Sequence, residues 1–122
     1  MEDILPPNEF PKLRGKARMC CIPSTSGTAS EVSRSIVISD NEKGLKHGVG
    51  NVEMMPDIAI CDPEVTMSMP AKITAETGMD ALTHALEALA SNRANYLSDI
   101  LASQAAQDIM ETYRLHMRMA MI

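Results

Sequence analysis

The sequence predicts an α/β segment that gives way to an all-helical one, and three observations carry that expectation. Short β-branched runs, among them Ser35-Ile-Val-Ile-Ser39 and Asp57-Ile-Ala-Ile-Cys-Asp62, alternate with proline, glycine and turn residues through residues 1–70. Beyond Pro70 proline disappears, and alanine and leucine recur at helical spacing. Within that stretch Asp80 and His84 stand four positions apart, which puts a carboxylate and an imidazole on one helical face.

Taken in order, Met1–Pro11 has three prolines and no periodicity, and reads as an exposed arm. Ala17–Ile22 is a short apolar run closed by Pro23, compatible with a buried strand that delivers the chain to a loop. That loop, Ser24-Thr-Ser-Gly-Thr-Ala-Ser30, packs five hydroxyls and one glycine into seven residues. Such a composition offers short donors and backbone N–H groups to a phosphate or an amide, and equally makes a polar turn that caps the next element. Ser35–Ser39 and Leu45–Val49 flank the turn residues Asp40-Asn-Glu-Lys-Gly44 and predict a hairpin. Lys46 on its return arm reads as a solvated edge charge, and His47 as a surface histidine.

Asn51–Pro56 is a connection, and Asp57–Asp62 is a strand stopped by Pro63. The boundary between the two segments is expected near Met69-Pro70-Ala71. A helix over Ile73–Ser91 should dock through Leu82, Leu86 and Leu89, leaving Asp80 and His84 on another face. Ser98-Asp99 resembles an N-cap opening a second helix whose buried stripe would be Ile100, Leu101, Ala105, Ile109 and Met110.

A chain of 122 residues suffices for one small domain. One Phe, two Tyr and no Trp leave 11 Met and many Ala to fill its core, which favours adaptable packing. The net charge of −5 argues against nucleic acid or an anionic membrane as partner, since both reward basic patches. Cys20, Cys21 and Cys61 lack the spacing of a disulfide framework or of a Cys-x-x-Cys metal site, so reduced thiols are expected. With no long apolar run and an acidic N-terminus, the expected localisation is cytoplasmic.

Gly78-Met-Asp-Ala-Leu-Thr-His-Ala-Leu-Glu-Ala88 closely resembles the signature of the iron-containing (group III) alcohol dehydrogenases. Further matching blocks run in order from about Lys16 to about Ile109: Ile22-Pro-Ser-Thr-Ser-Gly-Thr-Ala-Ser-Glu31, Ser39-Asp40 with Lys46, and Pro56-Asp-Ile-Ala-Ile-Cys-Asp-Pro63. The resemblance implies that residues 1–70 are the C-terminal part of an α/β nucleotide-binding domain and residues 71–122 the start of an all-helical metal-binding domain. It implies Asp80 and His84 as metal ligands, with Fe(II) or Zn(II) compatible with an oxygen and a nitrogen donor. It also implies contacts from Thr25, Thr28, Ser35, Lys46 and Thr66 to NAD or NADP. Ser24 stands where the family's loop usually has Thr, and keeps the hydroxyl.

The reaction so implied is hydride transfer between a small primary alcohol and nicotinamide, giving the aldehyde, with the metal acting as a Lewis acid on the alcohol oxygen. A homo-oligomer is compatible with this reading. Glu87 reads as a solvent-facing charge in preference to a support for a ligand. His116 sits between Arg114 and Arg118, which would repel a cation, and is a weak third ligand. The family's glycine-rich phosphate loop and its two later histidine ligands have no counterpart here. The chain is therefore expected to be a central fragment or truncated member, inactive by itself. The alternative is a non-catalytic assembly or interaction piece.

Overall fold

The computed structural model describes residues 15 and 17–119, with side chains through Tyr113. The expected N-terminal arm and the side chain of His116 lie outside the described residues. The chain forms two compact units. Of the described residues, one unit contains those up to Ser24 together with Ala29–Met67, and the other contains Thr25–Thr28 together with those from Ser68.

The first unit holds two separate two-stranded sheets. Strand β1 (Cys20–Cys21) pairs in parallel with β4 (Ile58–Ala59). The pairing is fixed at its start by Asp57, whose carboxylate accepts the Met19 N–H at 2.7 Å while its own N–H donates to the Met19 carbonyl at 2.9 Å. Only two residues of the expected Ala17–Ile22 strand are in the ladder.

Strands β2 (Ser35–Asp40) and β3 (Leu45–Gly50) form the expected antiparallel hairpin, in register from Ser35 opposite Gly50 to Asp40 opposite Leu45. Its turn is held by Asp40 Oδ1, which accepts the N–H groups of Glu42 and Lys43 at 3.1 Å each, and by Gly44 at φ 63°. Glycine adopts that left-handed conformation without the steric cost of a β-carbon. Alternation splits the hairpin into a sheltered face bearing Ile38, His47 and the buried Val49, and an open face bearing Ser35, Val37, Ser39, Lys46, Gly48 and Gly50. His47 is thus half-buried opposite Ile38, a correction to its reading as a surface residue. Two 3-10 turns, Ser30–Val32 and Val52–Met54, and the four-residue α1 (Pro63–Thr66), capped by Asp62 Oδ1 on the Glu64 N–H at 2.9 Å, complete the described part of this unit.

The second unit is built on α2 (Ala71–Ala90) and α3 (Tyr96–Met119), which pack against each other. Alanine-rich composition favours α2, which starts directly after Pro70 and carries the hydroxyls of Thr74, Thr77 and Thr83 bonded back to the carbonyls of Pro70, Ile73 and Met79. Of the expected leucines only Leu82 is half-buried. Leu86 is 52% and Leu89 36% exposed, whereas Ala85 is buried and Thr74, Gly78, Ala81 and Ala88 are half-buried. Small residues at i, i+4, i+7 and i+11 let the helix axes approach closely, and that close approach wins over the larger apolar area of the leucines.

The same correction applies to α3. Ile109 is half-buried as expected, but it is joined by Ala102, Ala106 and Tyr113, while Ile100, Leu101, Ala105 and Met110 are exposed. Its N-cap is Asn95 and not Ser98. Asn95 Oδ1 accepts the N–H groups of Leu97 at 3.1 Å and Ser98 at 3.2 Å, and Ser98 Oγ returns to accept the Asn95 N–H at 2.8 Å. This reciprocal arrangement starts the helix one turn earlier than Ser98-Asp99 implied. Among the described residues no helix is long and apolar enough to cross a membrane.

Candidate metal centre and cofactor loop

Asp80 and His84 lie one turn apart in the middle of α2, where unbroken helical geometry superposes their side chains. His84 Nδ1 stands 3.7 Å from Asp80 Oδ2, beyond hydrogen-bond range. The two side chains as wholes are 54% and 41% exposed. Asp80 Oδ2 itself is nevertheless shielded from solvent and has no hydrogen-bond partner. A carboxylate oxygen with neither water nor a donor is unfavourable, and a cation lodged near the imidazole would relieve it. The donor set therefore fits half of a metal site. Among the described residues no group of three or more His, Cys, Asp or Glu side chains gathers to complete it.

The hydroxyl loop comes to the same helix. Thr25–Thr28 belongs to the helical unit, and Gly27 lies against Thr77, three residues before Asp80. A β-carbon on Gly27 would stand 2.6 Å from the Thr77 carbonyl oxygen and 2.8 Å from its Cβ, so only glycine fits there. Thr77, Asp80 and His84 recur at i, i+3 and i+7 along one side of α2, so the loop rests on the flank that carries the carboxylate–imidazole pair. The chain leaves the loop through Ala29, held at φ 53° and ψ 38°. A left-handed conformation in a residue with a β-carbon costs about 1–2 kcal/mol and is concentrated at functional loops.

The other three candidate residues belong to the first unit. Ser35 and Lys46 share the open face of the hairpin, Lys46 opposite Ser39. Ser35 and Ser39 are separated along their strand by about 13 Å at the rise of an extended chain. Thr66 closes α1 with its hydroxyl donated to the Pro63 carbonyl at 3.0 Å, which leaves its oxygen as an acceptor. Cys20, Cys21 and Cys61 are free thiols, and Cys61 Sγ donates to Glu31 Oε1 at 3.8 Å.

Comparison with known proteins identifies the family. Residues 1–63 match the family profile of the iron-containing alcohol dehydrogenases, and residues 74–120 match the C-terminal profile of the same family. The chain belongs to the iron-containing alcohol dehydrogenase family. It is 46% identical over 110 residues to the NADPH-dependent butanol dehydrogenase of Clostridium saccharobutylicum, covering 90% of this chain and 28% of that relative. It is 53% identical over 90 residues to the 1-propanol dehydrogenase PduQ of Salmonella typhimurium, covering 74% of this chain and 24% of the relative. The sulfoacetaldehyde reductase of Bifidobacterium kashiwanohense, solved in complex with NAD+, superposes with a TM-score of 0.80 at 33% identity, over 88% of this chain and 28% of that one. The chain thus spans about a quarter of the length of these two relatives.

Proposed function

We propose that this chain serves an NAD(P)-dependent alcohol dehydrogenase, with Asp80 and His84 as an oxygen and a nitrogen ligand of a divalent metal. The observation that carries the proposal is the shielded, unpartnered Asp80 Oδ2 at 3.7 Å from His84 Nδ1. An oxygen–nitrogen donor pair suits Fe(II) or Zn(II), and family membership favours iron. The metal supplies Lewis acidity toward an alcohol or carbonyl oxygen.

The remaining work falls to the chain's own groups. Asp80 brings negative charge and His84 a neutral nitrogen to one point, held by the stiffness of α2. Gly27 lets the backbone of the hydroxyl loop lie directly on that helix, so that Thr25 and Thr28 can orient a nicotinamide cofactor and exclude water from it. Ser35, Lys46 and Thr66 of the first unit are assigned polar contacts to the nicotinamide cofactor by family membership alone.

The named relatives act on butanol and 1-propanol, so short primary alcohols and their aldehydes are the proposed substrates. One relative is NADPH-dependent and one neighbour holds NAD+, so the cofactor is NAD or NADP. The reading as an assembly piece draws on the exposed Leu86, Leu97 and Leu101 of the helical unit.

Cobalt(II) titration of the 122-residue chain, followed by visible absorbance, tests the ligand assignment. Uptake that is lost in an Asp80→Ala, His84→Ala variant is expected, at an affinity well below that of a complete site. Equal uptake by both chains overturns the assignment and favours the assembly reading. The same samples should show no alcohol-dependent NADH or NADPH formation, because two donors do not hold a cation in the open geometry that catalysis needs.

A further inference from the structure

We propose that Tyr113 is a positioning residue for the Asp80–His84 pair, latching the turn of α2 on which that pair is built. The inference rests on the reading of the pair as metal ligands. Tyr113 reaches from α3 to a turn 38 residues earlier, where its hydroxyl donates to the Ala75 carbonyl at 2.6 Å. The Thr74 carbonyl stands 3.3 Å from the same oxygen. Both carbonyls already accept the helical N–H groups of residues 78 and 79, so the phenol engages their second lone pairs.

The ring meets α2 at Gly78. A β-carbon built on Gly78 would collide with the Tyr113 hydroxyl and stand 2.6 Å from Cε2 and 2.8 Å from Cζ. Glycine in a helix interior costs about 1 kcal/mol relative to alanine. Here that cost is offset by an approach that no other residue allows. On the adjacent residue, Thr77, Gly27 makes its own glycine-only contact. Residues 77 and 78 are therefore gripped by the hydroxyl loop and by α3 together, one turn before Asp80.

The latch matters because the rest of the α2–α3 interface is smooth. Its sheltered residues are mostly small, with Ala85 and Ala102 the buried ones, and small side chains resist separation of two helices better than sliding along them. A directional bond from a rigid phenol fixes that sliding coordinate. The Ala75 carbonyl that the phenol engages also takes the Met79 N–H, so the latch steadies the helical turn that leads into Asp80, and loosening of that turn disturbs the register of Asp80 on His84.

The test compares the full chain with its Tyr113→Phe variant, which keeps the ring and removes only the hydroxyl. In the metal-free proteins, amide exchange at Gly78 and Met79 should rise by about three- to tenfold, the worth of one hydrogen bond, while exchange at Leu86 and Glu87 stays as it was. Cobalt(II) affinity should fall by about tenfold at unchanged helicity. Unchanged affinity in Tyr113→Phe overturns the proposal, and so does a uniform rise in exchange along α2, which marks a merely structural residue. Cobalt uptake that survives Asp80→Ala, His84→Ala overturns the ligand reading instead. Exchange at residues 80–84 in Tyr113→Phe then judges the latch alone, and no change there overturns it.

Discussion

Gly27 and Thr77 are in backbone contact, so close that the space of a single methyl group on residue 27 is already taken by the Thr77 carbonyl oxygen and Cβ. A loop of hydroxyl-bearing residues is thereby seated on a helix far from it in sequence. Gly27→Ala should lift the loop off α2 and destabilise the chain by about 1–3 kcal/mol, the usual consequence of overpacking. Thermal unfolding by circular dichroism measures the loss, and a Tm equal to the parent's would mean that the loop moves aside freely.

Gly78 gives a prediction with a change of sign. Alanine is the better helix former by about 1 kcal/mol, yet in the parent chain Gly78→Ala must displace the Tyr113 ring. The substitution should lower stability when Tyr113 is present and raise it in a Tyr113→Ala background. A double-mutant cycle in urea reads the coupling directly, and additive effects would show the contact to be immaterial.

Asn95 is expected to matter more than Ser98 at the start of α3. Asn95→Ala removes the acceptor for two otherwise unsatisfied N–H groups and should cost about 1 kcal/mol. Ser98→Ala leaves those bonds intact and removes the return contact to the Asn95 N–H and the hydroxyl's own bond to the Asn95 carbonyl. Urea midpoints of the two variants should rank in that order.

Asp80→Ala should stabilise the metal-free chain. The parent residue places one carboxylate oxygen out of reach of water and donors, and aspartate is a poorer helix former than alanine. A gain of about 0.5–1.5 kcal/mol is expected in chelator-treated protein. The gain should shrink or reverse when Co(II) is added, because only the parent retains the carboxylate. A loss of stability without metal would show that Asp80 is held by interactions of its own.

The hairpin and the long helix were legible because local chemistry dictates them: Asp40 and Gly44 make a turn whatever surrounds it, and residues 73–91 lack any proline. The pairing of Asp80 with His84 was legible for the same reason, since four-residue spacing on a helix leaves little freedom. Which side of that helix is covered was not. Of the stronger apolar signal, Leu82, Leu86 and Leu89, only Leu82 is half-buried, and the Ala85 side prevails where both helices carry small sheltered residues. The half-burial of His47 follows from strand alternation opposite Ile38, a signal that could have found it. Tyr113 gave no sign in sequence, because its partners are Gly78 and two carbonyl oxygens, and neither a missing side chain nor a backbone atom leaves a pattern to read.

Val49, Ala85 and Ala102 are the buried apolar residues among those described, and none of them is large. So slight an interior releases little heat capacity when it opens, and its unfolding transition should be broad and shallow. Anything that binds the folded chain and not the unfolded one then contributes a large share of the total, rising with the logarithm of its concentration. The melting temperature of this protein is consequently a sensitive balance for weighing its ligands, metal ions and nicotinamides included, long before any catalytic turnover could be observed.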